Sequence, residues 1–267
     1  MLGAVIGDIV GSIYEFSNIR TKDFELFNPR CEFTDDSIMS LAVAKALLDV
    51  GDQRREDALH GAFTRNMRAF AQWYPHPMGS YGGRFSEWLR SPSPEPYNSW
   101  GNGSAMRVSA CGFAATSLSD ALLLAKASAE VTHNHPEGIA GAQVTAACIY
   151  LAAHGKDKDF IRKYVQDTYG ELGPDVETLR KTYQFTERCR DSVPPALQCF
   201  FESKNFEDCL RNVISIGGDS DTLGAIAGGI AEAYYGIPED IAATARRYLT
   251  PHLLKVLDDF EAKFQRK

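Results

Sequence analysis

Apolar residues recur along most of this chain at the three- and four-residue spacing of amphipathic helices, and convincing alternating strands are absent. Leu2, Val5, Ile6, Ile9 and Ile13 mark a first helix over 2–15, where Gly3, Gly7 and Gly11 line one narrow ridge. Glycines weaken an isolated helix, so this regular spacing predicts a buried helix whose backbone approaches its neighbours closely. A second pattern begins at Asp36, with Thr34 or Asp35 as N-cap, and ends near Gly51; a third covers 56–73. Residues 74–103 are rich in Gly, Pro and Ser and predict a long loop, a type usually functional or mobile. Helices are then expected over 104–116, 119–131 (Ser119 or Asp120 capping), 137–154, 157–169, 176–189, 194–202, 205–215 and 221–235. The last of these is stopped by Gly236-Ile237-Pro238, and two more follow at 238–248 and 250–265. The expected fold class is all-α. One compact domain over 1–267 is expected, because neither an internal repeat nor a composition shift marks a linker.

Composition narrows the class. With 44% hydrophobic and 24% charged residues in 267, the chain reads as an ordinary globular protein rather than a disordered or fibrous one. A net charge of -7 argues against general nucleic-acid binding, which needs a surplus of Lys and Arg on one face. It leaves room for one anionic ligand held by backbone N–H groups and metal ions. Six cysteines without a C-x-x-C pair suit a reducing compartment. The apolar N-terminus lacks a basic region and is interrupted by Asp8, and no run approaches a membrane span, so a cytoplasmic protein is expected.

Candidate chemistry gathers at two helix starts, Phe33-Thr34-Asp35-Asp36-Ser37 and Gly217-Gly218-Asp219-Ser220-Asp221-Thr222. Either motif alone is explained equally well by capping, since these side chains satisfy exposed N–H groups and complement the helix dipole. The second leads into Leu223–Ala231, so poor in polar residues that it must be buried. Carboxylates at the mouth of a buried helix are costly without cations. Hard divalent ions, Mg2+ or Mn2+, match clustered Asp and Thr oxygens.

Three further constellations stay open at this level. Asp8 and Glu15 lie seven residues apart and project from nearly the same face if the first helix runs that far. Asp8 reads better as a buried acid bonded to the backbone of a neighbouring helix, Glu15 as a site residue. The Gly-rich turn Asn98–Arg107 suits a phosphate, although Asn-Gly is also a common turn dipeptide. Thr132-His133-Asn134-His135-Pro136 fits a metal pair, a substrate clamp or a helix C-terminus.

Taken together, the motifs resemble the ADP-ribosylglycohydrolase family, in order and spacing, across nearly the whole chain. The resemblance rests on the glycine-ridged segment with Asp8 and Glu15, Thr34-Asp35-Asp36, Gly101-Asn102-Gly103 with Ala105-Met106-Arg107, Thr132-His133, and Gly217–Thr222. It implies an orthogonal helical fold with a binuclear Mg2+ or Mn2+ centre at helix N-termini, ligated by Thr34, Asp35, Asp36, Asp219, Asp221 and Thr222. It implies Glu15 and Asp36 as catalytic candidates, and ADP-ribose and ADP-ribosylated macromolecules as partners. Glu15, Tyr81, Gly82, Ser99, Trp100, Gly101, Asn102, Gly103, His133 and His135 become candidates for binding substrate, with Tyr81, Tyr97 and Trp100 able to stack on adenine. The middle loop departs from some members: His76–Arg84 offers no acid until Glu87. A monomer or small homo-oligomer is expected. The rival readings are a relative that binds ADP-ribose without hydrolysing it, and a metal-dependent phosphohydrolase.

Overall fold

The computed structural model describes residues 1–52 and 54–265, so Gln53, Arg266 and Lys267 within the expected 1–267 domain lie outside the described residues. Fifteen helices run through the described residues. They begin with α1 (Leu2–Gly11), α2 (Asp35–Val50), α3 (Glu56–Trp73), α4 (Gly83–Arg90), α5 (Gly103–Met106) and α6 (Ser109–Ala114). They continue with α7 (Leu118–Glu130), α8 (Pro136–Ala153), α9 (Lys158–Thr168), α10 (Val176–Thr182) and α11 (Cys189–Glu202). The last are α12 (Phe206–Ser215), α13 (Ser220–Tyr235), α14 (Glu239–Arg246) and α15 (Pro251–Phe264). Strand-like pairing among the described residues is limited to two isolated bridges, Thr34 with Met78 and Gly101 with Arg188. No helix among them is long and apolar enough to cross a membrane.

The glycine ridge does what its spacing predicts. Every residue of α1 is buried, and the helix lies on α13 with Gly3 against Gly228 and Gly7 against Gly224. A methyl group built on any of these four would overlap the backbone carbonyl opposite, and one on Gly11 would lie 2.5 Å from the Cα of Asp221. Close backbone approach here replaces the side-chain packing that glycine cannot offer. α13 is buried from Ser220 to Ala231. One hydrophobic cluster continues from Met1 to Phe260.

Several boundaries differ from the expected ones. α1 ends at Gly11, and the chain turns through 12–15, so Asp8 and Glu15 do not share a helical face. The expected long loop contains α4, whose buried Phe85 and Trp88 anchor one side of a short helix. The 104–116 segment breaks into α5 and α6 around Arg107 and Val108. Ser117, not Ser119 or Asp120, caps α7, accepting a hydrogen bond from the Asp120 N–H at 3.1 Å. α10 stops at Thr182, and α11 begins at Cys189 with Pro194 and Pro195 inside it. The carbonyls that these prolines cannot bond belong to Arg190 and Asp191, both exposed, so water can take them.

Candidate active site

Three helices converge on the acids. Asp8, buried in α1, accepts from the backbone N–H groups of Thr34 (2.9 Å) and Ser37 (3.0 Å), from the Thr34 hydroxyl (2.6 Å) and from the Ser37 hydroxyl. Asp8 is thus the buried acid that the sequence suggests, tying α1 to the start of α2. Thr34 also caps α2, accepting from Asp36 N at 3.2 Å, so capping is real at this motif. At the other motif it is not: Asp219 occupies the N-cap position of α13 without a capping bond. Its Oδ2 instead accepts from Asn102 Nδ2 at 2.7 Å. The Thr222 hydroxyl donates to Asp36 Oδ2 at 3.3 Å, joining the two helix starts.

The turn into α13 needs Gly217 and Gly218, which sit at φ of 66° and 80°, in the left-handed region. Asn18 holds that turn. Its side-chain amide donates to Gly218 O (2.8 Å), Tyr14 O (2.6 Å) and Glu15 O (3.0 Å), and its Oδ1 accepts from Gly218 N (2.7 Å). Glu15 is therefore placed by the turn that starts α13 rather than by α1. Arg20 braces the same turn through the carbonyls of Ile216 and Tyr183.

Two sets of acidic oxygens result, each gathered within 4.8 Å: Asp8, Asp36 and Asp221, and Glu15, Asp219 and Asp221. Asp35 belongs to neither set but lines the same cavity as Glu15, Asp36, Asp219 and Asp221. None of the salt bridges among the described residues involves any of these six acids. Burial raises every one of their carboxyls, Asp8 to about 6 against hydrogen bonds from Ser37 and Thr34 that lower it. Glu15 rises to about 7, first through burial and then through the charges of Asp219, Asp8 and Glu187. Burial pushes Asp35, Asp36 and Asp221 well above the carboxylate range, helped next by the charge of Asp8 at Asp35 and Asp36 and of Asp219 at Asp221, and burial raises Asp219. Asp36 Oδ1 is buried without a hydrogen-bond partner. Mutually repelling, all-oxygen, lacking a protein cation and buried but for the half-buried Glu15 and Asp35, this donor set fits hard divalent ions.

The cluster forms one end of a cavity of about 350 Å³, within the range of small-ligand sites. Of the residues expected to bind substrate, Glu15, Tyr81, Gly82, Ser99, Gly101, Asn102, Gly103 and His133 line it. Trp100 and His135 do not. Trp100 is 48% exposed and faces the Arg188 guanidinium, 5.9 Å from its ring centre. His135 caps α8, its Nδ1 accepting from Glu137 N at 3.2 Å. Tyr97 does line the cavity, packed on the His133 ring and covered by Arg84. Asn18, Phe16, Arg84 and Glu187 are further neighbours of the site that no sequence motif marks, and Arg107 also lines the cavity. No spacing signal marks Glu187, which reaches the cavity because its carbonyl accepts from Asn102 N at 2.7 Å.

Comparisons with known proteins bear on the family and the fold. A family model described as ADP-ribosylglycohydrolase matches residues 1–267. The chain is 27% identical to ADP-ribosylhydrolase ARH3 of Homo sapiens, over 90% of this chain and 85% of that protein. It is 27% identical to ADP-ribosylarginine hydrolase Tri1 of Pseudomonas putida, over 89% and 70%. It is 26% identical to the ADP-ribosyl dinitrogen-reductase glycohydrolase of Rhodospirillum rubrum, over 89% and 85%. A solved structure described as an ADP-ribosylglycohydrolase-related protein complex shares the fold, with a TM-score of 0.71 over 99% of this chain and 95% of that one, at 23% identity.

Proposed function

The chain belongs to the ADP-ribosylglycohydrolase family, and from that premise we propose that this glycosyl hydrolase cleaves the bond between ADP-ribose and an acceptor, a protein side chain such as arginine or serine. The observation that carries the reading is the convergence of two helix starts on buried, unpaired carboxylates at the end of a cavity. Thr34, Asp35, Asp36, Asp219, Asp221 and Thr222, with Asp8 and Glu15 beside them, would hold two divalent cations, Mg2+ or Mn2+. When bound, such ions supply Lewis acidity and a water of lowered pKa.

The chain's own groups supply the rest. Cleavage of a glycosidic bond develops positive charge on the sugar, which nearby carboxylates stabilise. Glu15 lies between the acid cluster and the Gly79–Ser80 loop on the cavity wall, where it can pass a proton to or from the reacting groups. Asp36, with one oxygen free of hydrogen bonds, is the second candidate. Ser99, Gly101, Asn102, Gly103 and His133 line the same cavity and would seat the diphosphate and ribose, with Tyr81 and Tyr97 beside the base. We place the protein in the cytoplasm as one domain, in keeping with six buried free thiols.

Incubation with ADP-ribosylated arginine, serine and nucleic-acid substrates, with Mg2+ or Mn2+ and then EDTA, tests the reading. Release of ADP-ribose that EDTA and Asp219→Ala both abolish is expected. Absence of release from every substrate, or unchanged release by Asp219→Ala, would refute it.

A further inference from the structure

Among the residues lining the cavity, Arg107 is a fully buried cation without a carboxylate partner. It is 1% exposed, no salt bridge among the described residues involves it, and its Nε meets no hydrogen-bond partner. Its NH2 group donates to the Thr132 hydroxyl at 2.7 Å and to Ser128 O at 3.2 Å. A guanidinium only donates, so Thr132 Oγ1 accepts this bond and keeps its own proton to give. Apart from the Tyr97 hydroxyl, two acceptors lie in reach. Ala129 O, at 3.4 Å, already takes the backbone N–H groups of Thr132 (3.1 Å) and His133 (2.7 Å). His133 Nδ1, at 2.7 Å, is the nearer.

We propose that Arg107 and Thr132 are positioning residues that fix the neutral His133 imidazole with its proton on Nε2, as a donor to an oxygen of the bound ligand. With Nδ1 filled by the Thr132 proton, a neutral ring carries hydrogen only on Nε2. That nitrogen faces the Gly-rich turn and the cavity: a methyl on Gly103 would lie 3.2 Å from it and one on Gly101 3.5 Å. The two glycines keep space open where Nε2–H points. Burial, with the nearby charges of Arg107 and Arg84, keeps the ring neutral at physiological pH. Tyr97, packed at 5.8 Å between ring centres, restricts rotation of the ring. Arg107 polarises the Thr132 hydroxyl and so strengthens the next bond in the chain. The same local positive charge favours an anionic oxygen, as on a diphosphate.

The ligand half of the proposal rests on the reading of the cavity as an ADP-ribose site; the tautomer does not. Nitrogen NMR of protein labelled with 15N-histidine reports the tautomer directly, and titration with ADP-ribose reports the affinity. In the wild type, His133 should show the Nε2–H form, without titration between pH 6 and 8. Thr132→Ser should keep that form and hold ADP-ribose within about 2-fold. Thr132→Val should mix or reverse the tautomer and weaken ADP-ribose by about 10-fold, the scale of one charge-assisted hydrogen bond. An Nδ1–H ring in the wild type overturns the proposal, as does a Thr132→Ser protein that behaves like Thr132→Val. If the valine variant fails to fold, the wild-type spectrum and the serine variant decide. Failure of ADP-ribose to bind a wild type that shows Nε2–H would overturn the functional reading and support the relay.

Discussion

Asp8, Asp36 and Asp221 bring oxygens within 4.8 Å of one another inside the protein, and Glu56, His60 and Glu130 bring ligand atoms equally close on its surface. What surrounds them differs. The surface trio has a cation of its own: Lys126 lies 2.8 Å from Glu130 and 4.0 Å from Glu56, whose side chain is 72% exposed. Water and lysine balance its charge, and such exposed pairs contribute little to stability. The interior trio is buried, and none of the salt bridges among the described residues involves it. Proximity of acids is common to both, so burial without a protein cation is what distinguishes a candidate metal centre.

Substitution at the two clusters should separate them most strongly in activity. Asp221, shared by both interior sets, is expected to lose more than about 100-fold in turnover as Asp221→Ala, beyond the cost of losing an outer-shell partner of a metal. Steady-state assays with Glu130→Ala in parallel should leave turnover within about 2-fold, as for a surface change remote from the site. Equal losses would erase the distinction.

A glycine beside each cluster sharpens it at the level of the fold. Gly7→Ala forces a methyl into the Gly224 carbonyl and should cost about 3 kcal/mol or more. Gly61→Ala, next to His60 on α3, meets only the mobile tip of Arg65 at 3.2 Å and should change stability by less than about 1 kcal/mol, in the stabilising direction if the arginine yields. Thermal unfolding of the pair measures both.

Acidity provides the third contrast. The interior carboxyls titrate higher in the folded chain than in the unfolded one, Asp8 to about 6 and Glu15 to about 7. A raised carboxyl stabilises the fold while it is protonated in the folded state, and that contribution disappears as pH rises through the folded value. The metal-free protein should therefore lose stability between about pH 4 and pH 7, on the order of 3 kcal/mol from Asp8. Saturating Mg2+ or Mn2+ should oppose the loss, since an ion that binds only the folded chain stabilises it. Urea unfolding at stepped pH, with and without metal, measures this; stability that rises with pH in EDTA would contradict it. The smallest effect belongs to Glu130→Gln, expected to shift stability by less than about 0.5 kcal/mol.

Much of the interior cluster is legible in sequence because each part leaves a local mark. Gly3, Gly7 and Gly11 repeat at a helical interval, and both acid pairs stand at helix starts. The rest depends on tertiary contacts. α4 is eight residues long and lies between Gly82 and Ser91 in a glycine- and proline-rich stretch, too short for periodicity to outweigh its surroundings. Glu15 belongs to the site through Asn18 and the Gly218 turn, 200 residues away, a contact no spacing rule reports. His135 looks as plausible as His133 in Thr132–Pro136, but Pro136 begins α8 and makes His135 its cap. Trp100 adjoins the turn that lines the cavity, yet faces outward onto Arg188.

Metal binding to the resting protein tests the central claim most directly. Calorimetric titration of the EDTA-treated, dialysed wild type with Mn2+, alongside Asp221→Asn and Glu130→Gln, measures it without any substrate. Two ions per wild-type chain are expected, unchanged in Glu130→Gln and fewer in Asp221→Asn. No saturable binding to the wild type, or binding that survives in Asp221→Asn and disappears in Glu130→Gln, would contradict the account.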